Sequence, residues 1–212
     1  MFTAIVAGLA APLKAIHILW INLITDSLPG LALGVDPKTK DLMQDPPRKA
    51  NESLFAHGAW FYTLLYGLVI GFMTLAAFLY SPIRALMAQG ASITFAGIQS
   101  MLANPSILLH AQTYAFVTLG MSQLFHAIGM RSQSRSVFAM NHLQNRLMLV
   151  AFFVGFGLQV AVTEIPLLTS WFGTCSLTLV EWGELFLFAM LPLVVHEIIV
   201  LVNFIKRKVR AR

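Results

Sequence analysis

Long runs of apolar side chains are the feature that most constrains how this 212-residue chain can fold. An α-helix needs about 20 consecutive apolar residues to cross the hydrocarbon core of a bilayer. Because lipid offers no hydrogen-bond partners to the backbone, such runs must be helical. The chain is therefore predicted to be an all-α membrane protein, a bundle of about five transmembrane helices plus a partial N-terminal helix. The five full runs are residues 15–33, 58–80, 112–130, 147–168 and 185–205, and the partial one is residues 2–13.

Composition agrees with a membrane protein and excludes other classes. Hydrophobic residues make up 58% of the chain and charged residues 11%, outside the range of ordinary soluble domains. The formal net charge of +5 would suit a nucleic-acid partner only if the basic residues covered one face. They lie instead in short segments beside the apolar runs, so we expect the lipid bilayer as a partner and no nucleic acid. Cys175 is the only cysteine, which excludes a disulfide framework.

The positions of the lysines and arginines predict an orientation. Most of them lie in three segments, residues 36–57, residues 131–146 and the tail 206–212. Cytoplasmic loops carry an excess of such residues, and five alternating spans put all three segments on the same side. We therefore expect a multi-pass integral membrane protein with a cytosolic C-terminus and mostly uncharged or apolar loops at residues 81–111 and 169–183.

An amide, a hydroxyl and a carboxylate lie close together within the first apolar run. Asn22, Thr25 and Asp26 stand at spacings of three and four, so a helix gathers them on one face. A carboxylate near the bilayer centre costs about 2.5–3.5 kcal/mol on insertion scales, which indicates a function. Pro29 and Gly30 are expected to weaken the helix there and to turn carbonyls toward a ligand. Several oxygens together suit a hard cation such as calcium, and the alternative is a cluster that joins helices by hydrogen bonds.

Two motifs around this cluster carry a family resemblance. Residues 19–29 (LWINLITDSLP) and 32–34 (ALG) resemble the sixth transmembrane helix of P-type calcium-transporting ATPases. Residues 41–43 (DLM) and 46–48 (PPR) match the cytosolic loop that follows in that family. Weaker similarity extends to the C-terminus. The resemblance implies that residues 1–212 form one C-terminal transmembrane domain, from the end of the fifth helix through the tenth, without a cytosolic catalytic domain.

The resemblance also assigns roles to individual residues. Asn22 and Asp26 align with the family's two side-chain metal ligands on this helix, and Thr25 aligns with a residue that serves one of two ion sites. A coupling loop that contacts the phosphorylation domain is implied at Asp41, Pro46, Pro47 and Arg48. The spacing Gly67-x-x-x-Gly71 favours close helix packing, and in the family such glycines contact the fifth helix.

The third apolar run bears on the number of ions. The two-site pumps of this family carry a glutamate on the eighth helix, and Gly120 aligns with that glutamate. Gln123 is a weaker candidate ligand that offers an amide oxygen without charge, and its alternative role is to join helices. The departure at Gly120 predicts one ion per cycle, as in plasma-membrane calcium pumps. Glu197, on the fifth run, is expected to be structural.

The implied function is the membrane segment of an ATP-driven calcium pump that exports calcium from the cytosol, in the plasma membrane. ATP and magnesium would act only in the full-length parent, whose N-terminal helices and cytosolic domains are the expected partners. Met1 aligns inside the fifth helix, so we expect a C-terminal segment that does not hydrolyse ATP alone. The alternatives are a pump for another hard cation such as manganese, a secondary transporter or channel, and a structural membrane module.

Overall fold

The structure, a computed structural model, describes residues 1–37, 53, 58–132 and 135–210. Regular structure in these residues is helical, without a β-strand, which confirms the all-α prediction. A π-helical segment, Ile21–Asp26, joins α2 to α3. The α-helices are α1 Phe2–Val6, α2 Ala15–Trp20, α3 Ser27–Gly34, α4 Ala59–Ala88, α5 Phe95–Leu102, α6 Pro105–Met130, α7 Arg146–Glu164, α8 Pro166–Phe172, α9 Leu179–Ala189 and α10 Leu191–Arg210.

Four helical stretches of the described residues are long and apolar enough to cross a membrane. They are Ala15–Gly34, Ala59–Ala88, Arg146–Glu164 and Leu179–Lys206. The predicted third span corresponds to α6, which is 26 residues long but carries more polar side chains. Residues 111–118 of α6 are all buried, and α6 packs against α4, α7, α9 and α10. A central helix enclosed by protein does not need an apolar surface, which explains its lower hydropathy.

Several predicted boundaries were wrong. The predicted loop 81–111 is largely helical, since α4 continues to Ala88 and α5 follows. Asn104 caps α6 by accepting a hydrogen bond from the Ser106 amide at 3.0 Å, and Pro105 occupies the first turn, which tolerates proline. The N-terminal run is helical only over Phe2–Val6, because Gly8 then adopts a positive φ of 79°.

The last two runs are also divided differently. The run 185–205 is not one helix, because α9 ends at Ala189 and α10 begins at Leu191. Pro192 lies in the first turn of α10 and cannot supply the backbone N–H that would continue α9. The helix of the run 147–168 ends at Glu164, and the short helix α8 extends from the end of that run into the predicted loop.

Polar contacts tie together each end of the bundle. At one end Arg131, after α6, lies with its Nη2 2.9 Å from Oδ1 of Asp36, after α3, and Asn145 donates to the same oxygen at 2.8 Å. At the other end Lys14, before α2, donates from Nζ to the Gly173 carbonyl at 2.8 Å. The segments that follow the first and third predicted spans therefore lie at the same end.

Small side chains hold α3, α6 and α7 close together beside the π-helical segment. Ala32, Ala127 and Ala151 are almost fully buried and form one cluster with Met148. Small residues allow membrane helices to approach closely, so these three helices support the π-helical segment.

Candidate cation site

The first span is irregular at its centre. Residues Ile21–Asp26 form a π-helix inside an otherwise α-helical stretch. Pro29 has no backbone N–H to donate to the carbonyl of Thr25, and its ring crowds that carbonyl, so the ladder of α-helical hydrogen bonds is disturbed just before it. Pro29 and Gly30 themselves lie in α-helix, so the irregularity expected there is found one turn earlier. The irregular turn lies earlier, and single π-helical turns are frequent at functional sites.

Asn22 and Asp26 lie on the face of this turn that the other described helices do not cover. Both residues are exposed. Their side chains form neither a hydrogen bond nor an ion pair with another described residue, while the Asn22 carbonyl accepts a hydrogen bond from Ser27 Oγ at 2.8 Å. One amide oxygen and one carboxylate are therefore displayed four residues apart, without partners from the described part of the chain.

Thr25 points into the bundle. Only 1% of it is exposed, and its Oγ1 lies 2.9 Å from the Ile21 carbonyl and 2.9 Å from Oε1 of Gln123. The structure thus brings together two of the four predicted ligands, Thr25 and Gln123, from the first span and α6. It forms no hydrogen bond between Gln123 and either Asn22 or Asp26. The contact itself is an interhelical hydrogen bond, which is the alternative role for Gln123.

The structure adds a residue that sequence reasoning missed. Gln159, in α7, is fully buried, and among the described residues neither atom of its amide has a hydrogen-bond partner. It lies over Gly120, where an added Cβ would stand 2.8 Å from Gln159 Oε1 and 3.5 Å from the Thr25 methyl group. Gln159 is the one amide side chain in the apolar run 147–168, a signal that could have identified it.

The remaining predicted residues are those of the coupling loop and the two packing glycines. Asp41, Pro46, Pro47 and Arg48 fall outside the described residues. Gly67 and Gly71 lie exposed on α4, with no atom within 4 Å of a Cβ added at either position. Their predicted packing would need a helix that the described residues do not supply, so it stays a prediction.

The donor chemistry fits a hard cation in part. Calcium takes six to eight oxygen ligands from carboxylates, amides, carbonyls and water. No group of three His, Cys, Asp or Glu side chains in the described part of the chain could hold a metal ion. Asp26 is the one carboxylate at the π-helical turn, so the other candidate ligands of this segment are neutral oxygens.

Glu164, the last residue of α7, and Glu197, within α10, have structural partners. Glu164 Oε1 accepts hydrogen bonds from the Leu177 amide at 3.0 Å and from Trp182 Nε1 at 2.8 Å. Glu197 Oε1 accepts one from the Val137 amide at 2.6 Å. These contacts join α7 to α9, and α10 to the loop after α6.

Comparison with known proteins finds a matching family over most of the chain. The family described as "Cation transporting ATPase, C-terminus" matches residues 10–202. The similarity therefore covers the π-helical turn, α6 and α7 together, in agreement with the resemblance found in the sequence.

Individual relatives carry matching names. The chain is 43% identical over 199 residues to calcium-transporting ATPase 1 of Bacillus cereus (strain ATCC 10987 / NRS 248), covering 94% of this chain and 22% of the relative. It is 35% identical over 182 residues to the calcium-transporting ATPase of Bacillus subtilis (strain 168), covering 86% and 18%. The endoplasmic reticulum-type calcium-transporting ATPase 4 of Arabidopsis thaliana is 27% identical over 217 residues, with 86% and 20% covered. The chain thus spans about a fifth of the length of these curated relatives.

Proposed function

The chain belongs to the family of cation-transporting ATPases, whose C-terminal membrane region it matches, and from this premise we propose that it holds the transported ion of an ATP-driven calcium pump. Calcium is proposed because the relatives compared above are named for calcium transport. It also fits the oxygen chemistry of the π-helical turn.

The proposal rests on a difference between the side chains of the π-helical turn. Thr25 is buried and anchored to Gln123, while Asn22 and Asp26 on the same turn remain exposed and unpaired among the described residues. An ionised carboxylate in a membrane span is expensive unless it has a partner. We propose that calcium is this partner, bound by Asp26 and Asn22, with Thr25 and Gln123 as neutral ligands. Other parts of the parent pump would complete the shell of six to eight oxygens.

One ion per cycle follows from the charge of this arrangement. Gly120 offers no side chain where the two-site pumps carry a glutamate, so Asp26 is the single carboxylate that this region brings to the turn. A second divalent cation would enter without an anionic ligand from this segment. Dehydration of a divalent cation without an opposing charge is costly, so we propose a single site.

The remaining parts of the proposal concern the whole pump. Residues 1–212 act as one transmembrane domain of a plasma-membrane pump, with the C-terminal tail in the cytosol, where ATP and magnesium act on other domains of the parent. The loop with Asp41, Pro46, Pro47 and Arg48 couples those domains to the membrane. By itself the 212-residue chain is expected to show no vanadate-sensitive ATP hydrolysis.

The test uses a chimeric pump in which this chain replaces the matching C-terminal fifth of the Bacillus cereus relative. ATP-driven uptake of radioactive calcium into inside-out membrane vesicles is measured with and without an excess of manganese. We expect uptake that manganese competes with only weakly. A chimera that carries manganese and leaves calcium outside would contradict the proposed ion, and uptake driven by an ion gradient without ATP would contradict the pump.

A further inference from the structure

Among the buried side-chain amides of the described residues, Gln159 is the one that has no hydrogen-bond partner. It lies within α7, fully buried, and among the described residues neither Oε1 nor Nε2 has a hydrogen-bond partner. Other buried amides are paired: Gln112 donates to the Ala11 carbonyl at 2.8 Å, and Asn145 donates to the Ala32 carbonyl at 2.8 Å. An unpaired buried amide loses its hydrogen bonds to water without replacement, which costs free energy unless a ligand restores them.

The position of the Gln159 amide depends on Gly120. A Cβ at residue 120 would stand 2.8 Å from Gln159 Oε1, closer than side-chain atoms approach one another. The same Cβ would meet the Thr25 methyl group at 3.5 Å. The absence of a side chain at Gly120 therefore leaves space for the Gln159 amide beside the Thr25 methyl group.

Three neutral polar side chains from three helices lie near Gly120, two of them in contact with each other and the third, Gln159, without a hydrogen bond to either. Thr25 comes from the π-helical turn, Gln123 from α6 and Gln159 from α7, and Thr25 Oγ1 lies 2.9 Å from Gln123 Oε1. Hydroxyl and amide oxygens are ligands that calcium accepts without added charge. Asp26, the next residue after Thr25, supplies the negative charge that such a set lacks.

We propose that Gln159 is a ligand of the transported cation, and that its carboxamide oxygen joins Thr25, Gln123 and Asp26 around the ion in the loaded pump. The inference rests on the proposed function, because it assigns one more oxygen to the same site. It gives α7 a direct part in ion binding and gives Gly120 the role of admitting the amide.

The experiment uses the chimeric pump described above with two amide replacements. Gln159→Leu removes the proposed ligand at nearly constant volume, and Gln112→Leu is the matched control, a buried amide whose partner is a carbonyl. The first readout is the calcium concentration that gives half-maximal phosphorylation from ATP. The second is phosphorylation from inorganic phosphate without calcium, which reports folding and the catalytic domains. For Gln159→Leu we expect the calcium requirement to rise by about tenfold or more, the range for lost groups around bound metals.

A second set of variants tests the geometry. Gly120→Ala should push the amide away and also raise the calcium requirement, but it should add little in the Gln159→Leu background, because residues that act through one contact are non-additive. Fully additive effects, or an unchanged calcium requirement in Gln159→Leu, would overturn the inference. Asp26→Asn distinguishes a failure of the role of Gln159 from a failure of the proposed cation site. If Asp26→Asn abolishes calcium activation while Gln159→Leu is normal, only the role of Gln159 fails. If Asp26→Asn is also normal, the proposed site itself is wrong.

Discussion

Oγ1 of Thr25 lies 2.9 Å from Oε1 of Gln123, a contact that links residues 98 positions apart in the chain. It joins the π-helical turn of the first span to the central helix α6. Because Thr25 also lies 2.9 Å from the Ile21 carbonyl, its single hydroxyl proton serves one of two acceptors at a time. The contact therefore anchors the turn while leaving one oxygen able to change partner.

Loss of this contact should reveal a measurable coupling between the two helices. In a double-mutant cycle of Thr25→Val and Gln123→Leu, followed by thermal unfolding in detergent, we expect a coupling of about 0.6 kcal/mol, the average for hydrogen bonds between membrane helices. Thr74→Val is the matched control, because the Thr74 hydroxyl donates within its own helix to the Ile70 carbonyl at 2.8 Å. Thr74→Val should show no coupling to Gln123→Leu, and an equal coupling in both cycles would contradict the assignment.

The ion pair between Asp36 and Arg131 should stabilise one end of the bundle. Arg131 is 5% exposed at its side chain and donates to Asp36 through both Nε and Nη2, so Arg131→Gln leaves a carboxylate with fewer partners. We expect a loss of about 1.5–3 kcal/mol in the free energy of unfolding, typical of hydrogen bonds to charged groups. Arg146→Gln removes an exposed arginine and should change stability by less than about 0.5 kcal/mol. Equal losses in the two variants would contradict the role of the pair.

Cys175 should react slowly with alkylating reagents. Burial raises the pKa of its thiol above the ordinary value, since a thiolate is poorly solvated between α8 and α9. At neutral pH the reactive thiolate is therefore scarcer than in an unfolded chain, and the rate should rise only at higher pH than for a free cysteine. Alkylation followed by mass spectrometry measures the rate, with the chain denatured in detergent as the control. Equal rates at pH 7 in both states would contradict the burial of this thiol.

The two ends of the bundle should be accessible from opposite sides of the membrane. Gln99 donates from Nε2 to the carbonyl of Gly8, which precedes the first span, so the exposed segment around Ser92 lies at the end opposite Asp36. In intact cells an impermeant reagent should label a tag at Ser92 but not a tag after the C-terminal residue, because basic segments stay in the cytosol. Labelling of the C-terminal tag in unpermeabilised cells would contradict this orientation.

The sequence predicted the class of fold and the position of the spans because hydropathy reports transfer into lipid directly. It predicted the helix ends poorly. Asn104 and Pro105 start α6 by local capping, and Pro192 divides the last run. Hydropathy is averaged over many residues and does not detect such local effects. The ligand candidates on the first span came from spacing and resemblance. The contact between Thr25 and Gln123 depends on how the helices pack, which a single sequence does not reveal. The position of the Gln159 amide depends on the missing side chain at Gly120, which is likewise visible only in the structure.

We propose that Asp26 supplies the negative charge of the cation site. Asp26→Asn keeps the size of the side chain and one carbonyl oxygen but removes the charge, so helix packing should survive while calcium binding should not. Asn22→Ala removes a neutral ligand, so it should raise the calcium requirement less severely. Asp36→Asn, which removes a carboxylate at the end of the same span, is the control: it weakens the pair with Arg131 and should lower stability, but it should keep normal calcium activation.

The most direct measurement compares two routes to the phosphorylated chimeric pump carrying Asp26→Asn. Phosphorylation from ATP requires bound calcium, whereas phosphorylation from inorganic phosphate proceeds without it. We expect the first to be lost at calcium concentrations that saturate the unmutated pump and the second to be retained, which would locate the defect at the ion. Normal calcium-activated phosphorylation from ATP in Asp26→Asn would contradict the account.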